Sequence, residues 1–255
     1  MSSKAINDKA KIDKIMTDTV ITNKGIPSKR DTKVVALGDA QFTFAVYIAN
    51  QPKMPEYQSL SCIQPLQVEQ IELIGRACGN GWRKVFNVYA KLLYALDTTH
   101  FNFSTMALTW QQYRDQFLLQ AHSGTALIFS PPHLAFTSIS SQSAFSDFHH
   151  KSGNSTDTKT HTNTVNNTHN NSHNKTFHII CGRTYAKKLI NDGLLTVDLS
   201  WLNEEFAINF EHAVIVCPYF DYRQLSNQKI QRLSFLLSAL VTGSDEGVID
   251  TAEFE

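Results

Sequence analysis

The chain has 255 residues, and 23 Lys+Arg stand against 23 Asp+Glu, so its formal net charge is zero. Hydrophobic residues make up 42% and aromatics 11%, which excludes a wholly disordered chain. The zero balance excludes a histone-like protein that coats polyanions, while leaving room for a local basic pocket.

No apolar run approaches the ~20 residues of a membrane span; the longest are short pieces such as Phe235 to Val241. The start, MSSKAINDKAKIDK, lacks the apolar stretch of a secretory signal. Four cysteines (Cys62, Cys78, Cys181, Cys217) are too scattered for a disulfide scaffold, so a soluble, reducing, cytoplasmic setting is expected.

Residues 1–32 are polar, broken by Gly25 and Pro27, and read as a mobile tail. Val34 to Leu37 and Phe42 to Ile48 are rich in β-branched and aromatic residues, which predicts two strands closed by Pro52 and Pro55. Val68, Ile71, Ile74 and Ala77 fall at three-residue steps before Gly79, predicting a helix. Asn80-Gly81 starts a second helix, with Trp82, Val85, Phe86, Tyr89, Leu92, Leu93 and Leu96 on one face. Trp110, Tyr113 and Phe117 mark a third. Core packing is the expected role of these aromatics.

Three short continuous apolar runs follow: Thr125 to Phe129, Phe177 to Cys181 and Ala213 to Cys217. Such runs suit strands buried on both faces of a parallel sheet. The second leads through Gly182 into RTYAKKLIN, a helix stopped by Asp192-Gly193. The third leads through PYFDYRQ into a helix with Leu233, Leu237 and Leu240 on one face.

This alternation predicts an α/β fold, a three-layer sandwich whose mostly parallel central sheet is flanked by helices. One domain is expected over 33–245, with an acidic tail at 246–255. Between His149 and Thr176 the only large apolar residue is Val165, so an Asn/Thr/His-rich disordered insert is expected at 149–176.

Three constellations bear on chemistry. The insert's His149, His150, His161, His169 and His173, with His178 just beyond, lack the spacing of a defined metal site, so neither metal nor cofactor is expected. Cys181 and Cys217 end predicted strands and His133 follows another, the elements of a Cys–His nucleophile; burial as small hydrophobes is the commoner role. Neither a Walker loop nor a Gly-x-Gly-x-x-Gly fingerprint is present.

The third constellation is convergent. In α/β sheets ligands bind beyond the carboxyl ends of the strands, near a topological switch point. Three segments there carry cations at helix starts: Arg183-Thr184; Tyr219, Asp221, Tyr222 and Arg223 ahead of Ser226 and Asn227; and Asn80, Trp82 and Arg83. With His133 these form the candidate ligand-binding set. Free N–H groups at helix starts favour anions, whereas Arg beside them opposes the helix dipole, so a bound phosphate would offset the conflict. Trp82, Tyr219 and Tyr222 offer stacking faces for a base. In the alternative, Arg183 and Arg223 pair with Asp221, Glu204 or Glu205, and the Tyr/Arg-rich loop 218–227 binds another protein. A phosphate-bearing ligand or nucleic acid, or else a protein partner, is therefore expected, and no membrane.

Two stretches, GNGWRKVFNVYAKL at 79–92 and VIVCPYFDYRQLSNQKI at 214–230, resemble the signature stretches of an uncharacterised bacterial domain family of unknown function. A remoter resemblance is to the uracil-DNA glycosylase-like superfamily. It rests on the helix Gly81 to Leu96, the strand end Phe129-Ser130-Pro131-Pro132, the unit His178 to Leu189 and the unit Val214 to Leu233. That resemblance implies a three-layer fold with a parallel sheet. Of the superfamily's His-Pro-Ser loop, Cys217-Pro218-Tyr219 keeps only the proline, and its first motif, a Gly-rich turn with a water-positioning acid or amide, has no clear counterpart, Gly38-Asp39 being a poor match.

Overall fold

The computed structural model describes residues 33–134 and 175–243. The expected tails at 1–32 and 246–255, the histidines of the insert and the insert itself up to residue 174 lie outside the described residues. The insert's last two residues belong to the fold. Lys175 Nζ donates to the carbonyls of Phe210 (3.4 Å) and Leu240 (3.0 Å).

The apolar runs form strands because their alternate side chains are buried on opposite faces. Strands β1 (Ala36–Gly38), β2 (Phe44–Tyr47), β4 (Thr125–Ile128), β5 (Phe177–Cys181) and β8 (Val214–Cys217) are joined by the short β3 (Ile63–Gln64), β6 (Ser200–Trp201) and β7 (Ala207–Asn209). The eight-stranded sheet has the order β3-β1-β4-β2-β5-β8-β7-β6. Its centre, β4-β2-β5-β8, is parallel throughout, while β1 runs antiparallel to β4, and β7 antiparallel to β8 and β6. The sheet is therefore mixed around a parallel centre.

On one face, Phe44, Val46, Ile48, Leu127, Ile179 and Ile215 share a core with four helices: α2 (Gln70–Ala77), α3 (Asn80–Tyr94), α4 (Trp110–Gln116) and α6 (Asn227–Thr242). The alternate set Ala45, Tyr47, Ala126, Ile128, Ile180 and Val216 packs against Ala186 and Leu189 of α5 (Arg183–Asn191). The short α1 (Pro55–Gln58) and the β6–β7 pair had no periodic signal. The predicted stripe of α2 starts later than expected: Val68 precedes the helix and is 59% exposed, because Glu69, with φ 74°, sets the turn into it, while the helix stops before Gly79 as expected.

Two local constraints fix the frame. Gly38 has φ +128°, and a Cβ there would lie 2.3 Å from the Thr125 carbonyl oxygen and 2.8 Å from Ala126 Cα, so only glycine lets β1 approach β4. Beside it the Asp39 carboxylate accepts from the backbone N–H groups of Gln41 (3.0 Å) and Gly124 (2.9 Å). On β5, burial, aided by neighbouring His212, pulls the His178 imidazole down to about 4. Its Nδ1 lies 2.8 Å from the Tyr47 hydroxyl.

Gly38→Ala is expected to lower stability by about 3 kcal/mol or more, from steric overlap plus backbone strain, as read by urea denaturation. His178 supplies a pH test. Its folded pKa lies below its unfolded value, so the unfolded state binds the proton first and stability falls as pH drops below about 6.5, by about 2 kcal/mol at pH 5. Urea curves across that range should show the loss, and His178→Gln should show a shallower one.

Candidate functional site

The parallel strands deliver their carboxyl ends to one edge. β4 and β5 lie on either side of β2, so the chain reverses its direction of travel across the sheet between β2 and β5. A cavity of about 610 Å³ opens there. Ala49 and Asn50 line it from the end of β2, Gly182 to Tyr185 and Lys188 from α5, and Pro218, Tyr219 and Gln224 from the loop after β8. Glu204 and Glu205 close one side. An adjoining cavity of about 550 Å³ shares Ala49, Asn50 and Tyr219 and adds Lys53, Gly81 and Trp82.

Backbone geometry brings the loops together. Cys181 and Cys217 are register partners at the last rung of β5 and β8, and the Gly182 N–H donates to the Cys217 carbonyl at 2.8 Å. Gly182, with φ 97°, turns the chain from β5 directly into α5. A glycine does the same for α3, where Gly79 has φ 88°. Neither α3 nor α5 has a side-chain cap at its start, so the first-turn N–H groups of both face this edge without one. By contrast, Ser226 caps α6, its Oγ accepting from the Lys229 N–H at 3.4 Å.

Carboxylates take part of the positive charge. Arg183 Nη1 lies 3.1 Å from Glu204 Oε2, at the surface. Lys229 Nζ lies 2.6 Å from Glu205 Oε2. Lys84 Nζ lies 2.8 Å from Asp221 Oδ2 in a more buried pair, while Asp221 Oδ1 accepts from the Arg223 N–H at 3.0 Å. The Arg223 N–H and then Lys84 hold the Asp221 carboxyl below its ordinary range. Burial pushes the Tyr219 phenol up to about 12, so Tyr219 is a neutral hydrogen-bonding group and ring face in the cavity.

The sequence-predicted residues divide accordingly. Arg183, Thr184 and Tyr219 line the first cavity, and Trp82 and Tyr219 line the second. Asn80 and Asn227 are the exposed first residues of α3 and α6. Asp221 and Ser226 serve the loop and the helix cap. Tyr222, 54% exposed, carries Lys84 Nζ at 4.8 Å from its ring centroid, and both Tyr222 and Arg223 lie outside the two cavities. Arg83 lines a separate cleft between α2, α3 and α4. His133 is exposed, beyond the end of β4. Asn50, Lys53, Tyr185 and Lys188 were missed; the polar Asn50-Gln51 following a β2 strand was the one available signal.

Two lesser candidates from the sequence take structural roles. Cys181 and Cys217 are buried side by side, and burial, with Cys217 as neighbour, drives the Cys181 thiol well above its ordinary pKa, which excludes an activated thiolate there. Gly38-Asp39 lies at the opposite edge, because β1 is antiparallel to β4, so it is a structural turn and not part of this site. Among the described residues, no group of three or more His, Cys, Asp or Glu is placed to hold a metal ion, and no helix is long and apolar enough to cross a membrane.

The model of a family of unknown function, DUF6942, matches residues 35–172 and 155–238. The chain belongs to this family. The DUF6942 match takes in both cavities, including Asn50, the start of α3, the start of α5 and the loop after β8. No curated protein and no solved structure shows significant similarity to the chain.

Asp221→Ala is expected to lower stability by about 1–2 kcal/mol, since it leaves Lys84 unpaired and removes the acceptor of the Arg223 N–H. Thermal or urea unfolding, read beside the wild type, checks this.

Proposed function

We propose that this protein binds a phosphate-bearing nucleotide or nucleic acid in an anion pocket at the strand carboxyl ends. The observation that carries the reading is that two uncapped, glycine-led helix starts line two adjoining cavities at the switch-point edge, joined through Ala49, Asn50 and Tyr219. Phosphate oxygens accept from the first-turn N–H groups of α5, and Arg183 and Lys188 add charge. Trp82 and Tyr219 give a base its stacking faces.

The architecture in this reading is a three-layer sandwich around a mostly parallel sheet, supported by the separate cores on the two faces; the scattered cysteines support a reducing, cytoplasmic setting. If catalytic, it works as a degenerate base-excision enzyme of the uracil-DNA glycosylase-like kind, with Arg183 on phosphate and Tyr219 against the base; Arg223 and Tyr222, expected to share these roles, lie outside both cavities. In that reading the Asn50 side chain, lining the first cavity just beyond β2, supplies an amide that can hold a water.

A second reading has its own observation. Tyr222 and Arg223 are exposed and outside both cavities, which favours loop 218–227 as a surface for a protein partner.

Arg183→Ala is expected to weaken binding of thymidine monophosphate or inorganic phosphate by roughly 10-fold or more, the worth of a charge-assisted hydrogen bond. Stability should hardly change, since the Arg183–Glu204 pair is exposed. Calorimetric titration and thermal unfolding on the same variant check both. If neither probe binds the wild type, the pocket reading fails and the partner-surface reading stands.

A further inference from the structure

The first cavity carries carboxylates of its own, and both come from one short turn. Residues 202–206 link β6 to β7, and the Leu202 N–H donates to the Phe206 carbonyl at 2.9 Å. Asn203 Oδ1 tightens the turn further by accepting from the N–H groups of Glu205 (2.9 Å) and Phe206 (2.8 Å). Phe206 is buried, and the two oxygens of Glu205 lie 2.7 and 2.6 Å from Lys229 Nζ on α6. Glu204 stands between these anchored neighbours, so the backbone keeps its carboxylate within reach of Arg183, the first residue of α5. The same hairpin meets that guanidinium a second time, with the Trp201 ring centroid 6.0 Å from Arg183 Cζ.

The charge that this cavity offers a ligand follows from its pairs. Arg183, Lys188, Glu204 and Glu205 are its charged lining residues. Lys229 answers Glu205, and Glu204 answers Arg183 at 3.1 Å. Among the described residues Lys188 forms no ion pair. What remains is one full positive charge and the partial charge of the uncapped start of α5, about half a charge. Arg183 can still bond to a phosphate oxygen, because only its Nη1 is engaged by Glu204 and a guanidinium has five N–H donors. Its charge, however, is already balanced. A ligand with one negative charge matches this set. Every further negative charge finds no free cation in the cavity and is repelled by Glu204.

We infer that Glu204 is a specificity-determining residue, through which the cavity selects a singly charged nucleoside phosphodiester over a terminal phosphate or a polyphosphate. The inference rests on the pocket reading above and names the ligand class of that same site. A terminal phosphate loses its second proton near pH 6, so above that pH it carries the extra charge that a diester lacks.

The test is calorimetric titration of the full chain at pH 8 and low salt with three probes that share one nucleoside. Thymidine 5′-(methyl phosphate), thymidine monophosphate and thymidine triphosphate carry one, two and about four negative charges. The methyl diester is expected to bind tightest and the triphosphate weakest, with a spread of ~10-fold. Glu204→Gln keeps the size of the side chain and removes its charge. It should tighten the triphosphate most and the diester least, closing the spread to within ~3-fold. Thermal unfolding should hardly change, because the Glu204 side chain is 87% exposed. The same exposure supplies a check that needs no variant: rising salt should draw the three wild-type affinities together. A wild type that binds the triphosphate as tightly as the diester, or a Glu204→Gln variant that shifts all three probes by one common factor, overturns the inference and leaves the pocket reading standing. If none of the three probes binds, the pocket reading itself has failed.

Discussion

The hydroxyl of Tyr89 lies 3.2 Å from the carbonyl oxygens of both Phe44 and Ala126, and one proton serves the two. The residue is wholly buried, and burial drives its phenol pKa far up, so the group stays neutral and donates. Because those carbonyls belong to the neighbouring parallel strands β2 and β4, this one contact fixes α3 in both rotation and height on the sheet. Trp82 and the helix start lie two turns away, about 10 Å along the axis, which is the distance to the carboxyl edge. The Tyr89 ring also meets Phe220 at 5.7 Å between centroids, so the loop after β8 is set from the same anchor. An apolar residue of the same shape would fill the space but would leave the height of the helix less defined.

The cations at the carboxyl edge illustrate a conflict that is partly settled inside the chain. Arg and Lys near a helix start oppose the dipole. Glu204 answers Arg183, Glu205 answers Lys229 and Asp221 answers Lys84. Asp221 does double service, because the same carboxylate shapes the loop through the Arg223 N–H. The charge left over at that edge includes Lys53, Lys187 and Lys188.

Much of the centre of this fold was legible from residue pattern. Thr125 to Ile128, Phe177 to Cys181 and Val214 to Cys217 are apolar on both faces, and only a covered parallel strand needs that. The glycine turn and helix after Cys181 were equally plain. The edges were not. Ile63–Gln64 and Ser200–Trp201 are too short to show a period, and β7 pairs through backbone groups that any sequence supplies. At the site, Arg183, Thr184, Trp82 and Tyr219 stood out because cations and aromatics beside a glycine turn are unusual. Asn50 and Lys188 did not, since one follows a strand like any loop residue and the other looks like a solvated helix face. Arg223 was read as a pocket residue from its position before α6, but Ser226 already satisfies that helix start.

The two outermost strands of the sheet are two residues long each, and the Trp201 ring at one end is flanked by Arg183 and Lys187 at 6.0 and 5.9 Å. A chain whose formal charges cancel has little long-range repulsion between copies in solution. Protection against self-association must then come from shape. Rims this short offer too few free backbone groups for another copy to continue the ladder, and a cationic flank makes the approach costlier still. Colloidal behaviour in a crowded, salty medium thus depends on how the sheet stops, because lengthening either rim by a few β-branched residues would open a templating face that charge alone could not hold apart.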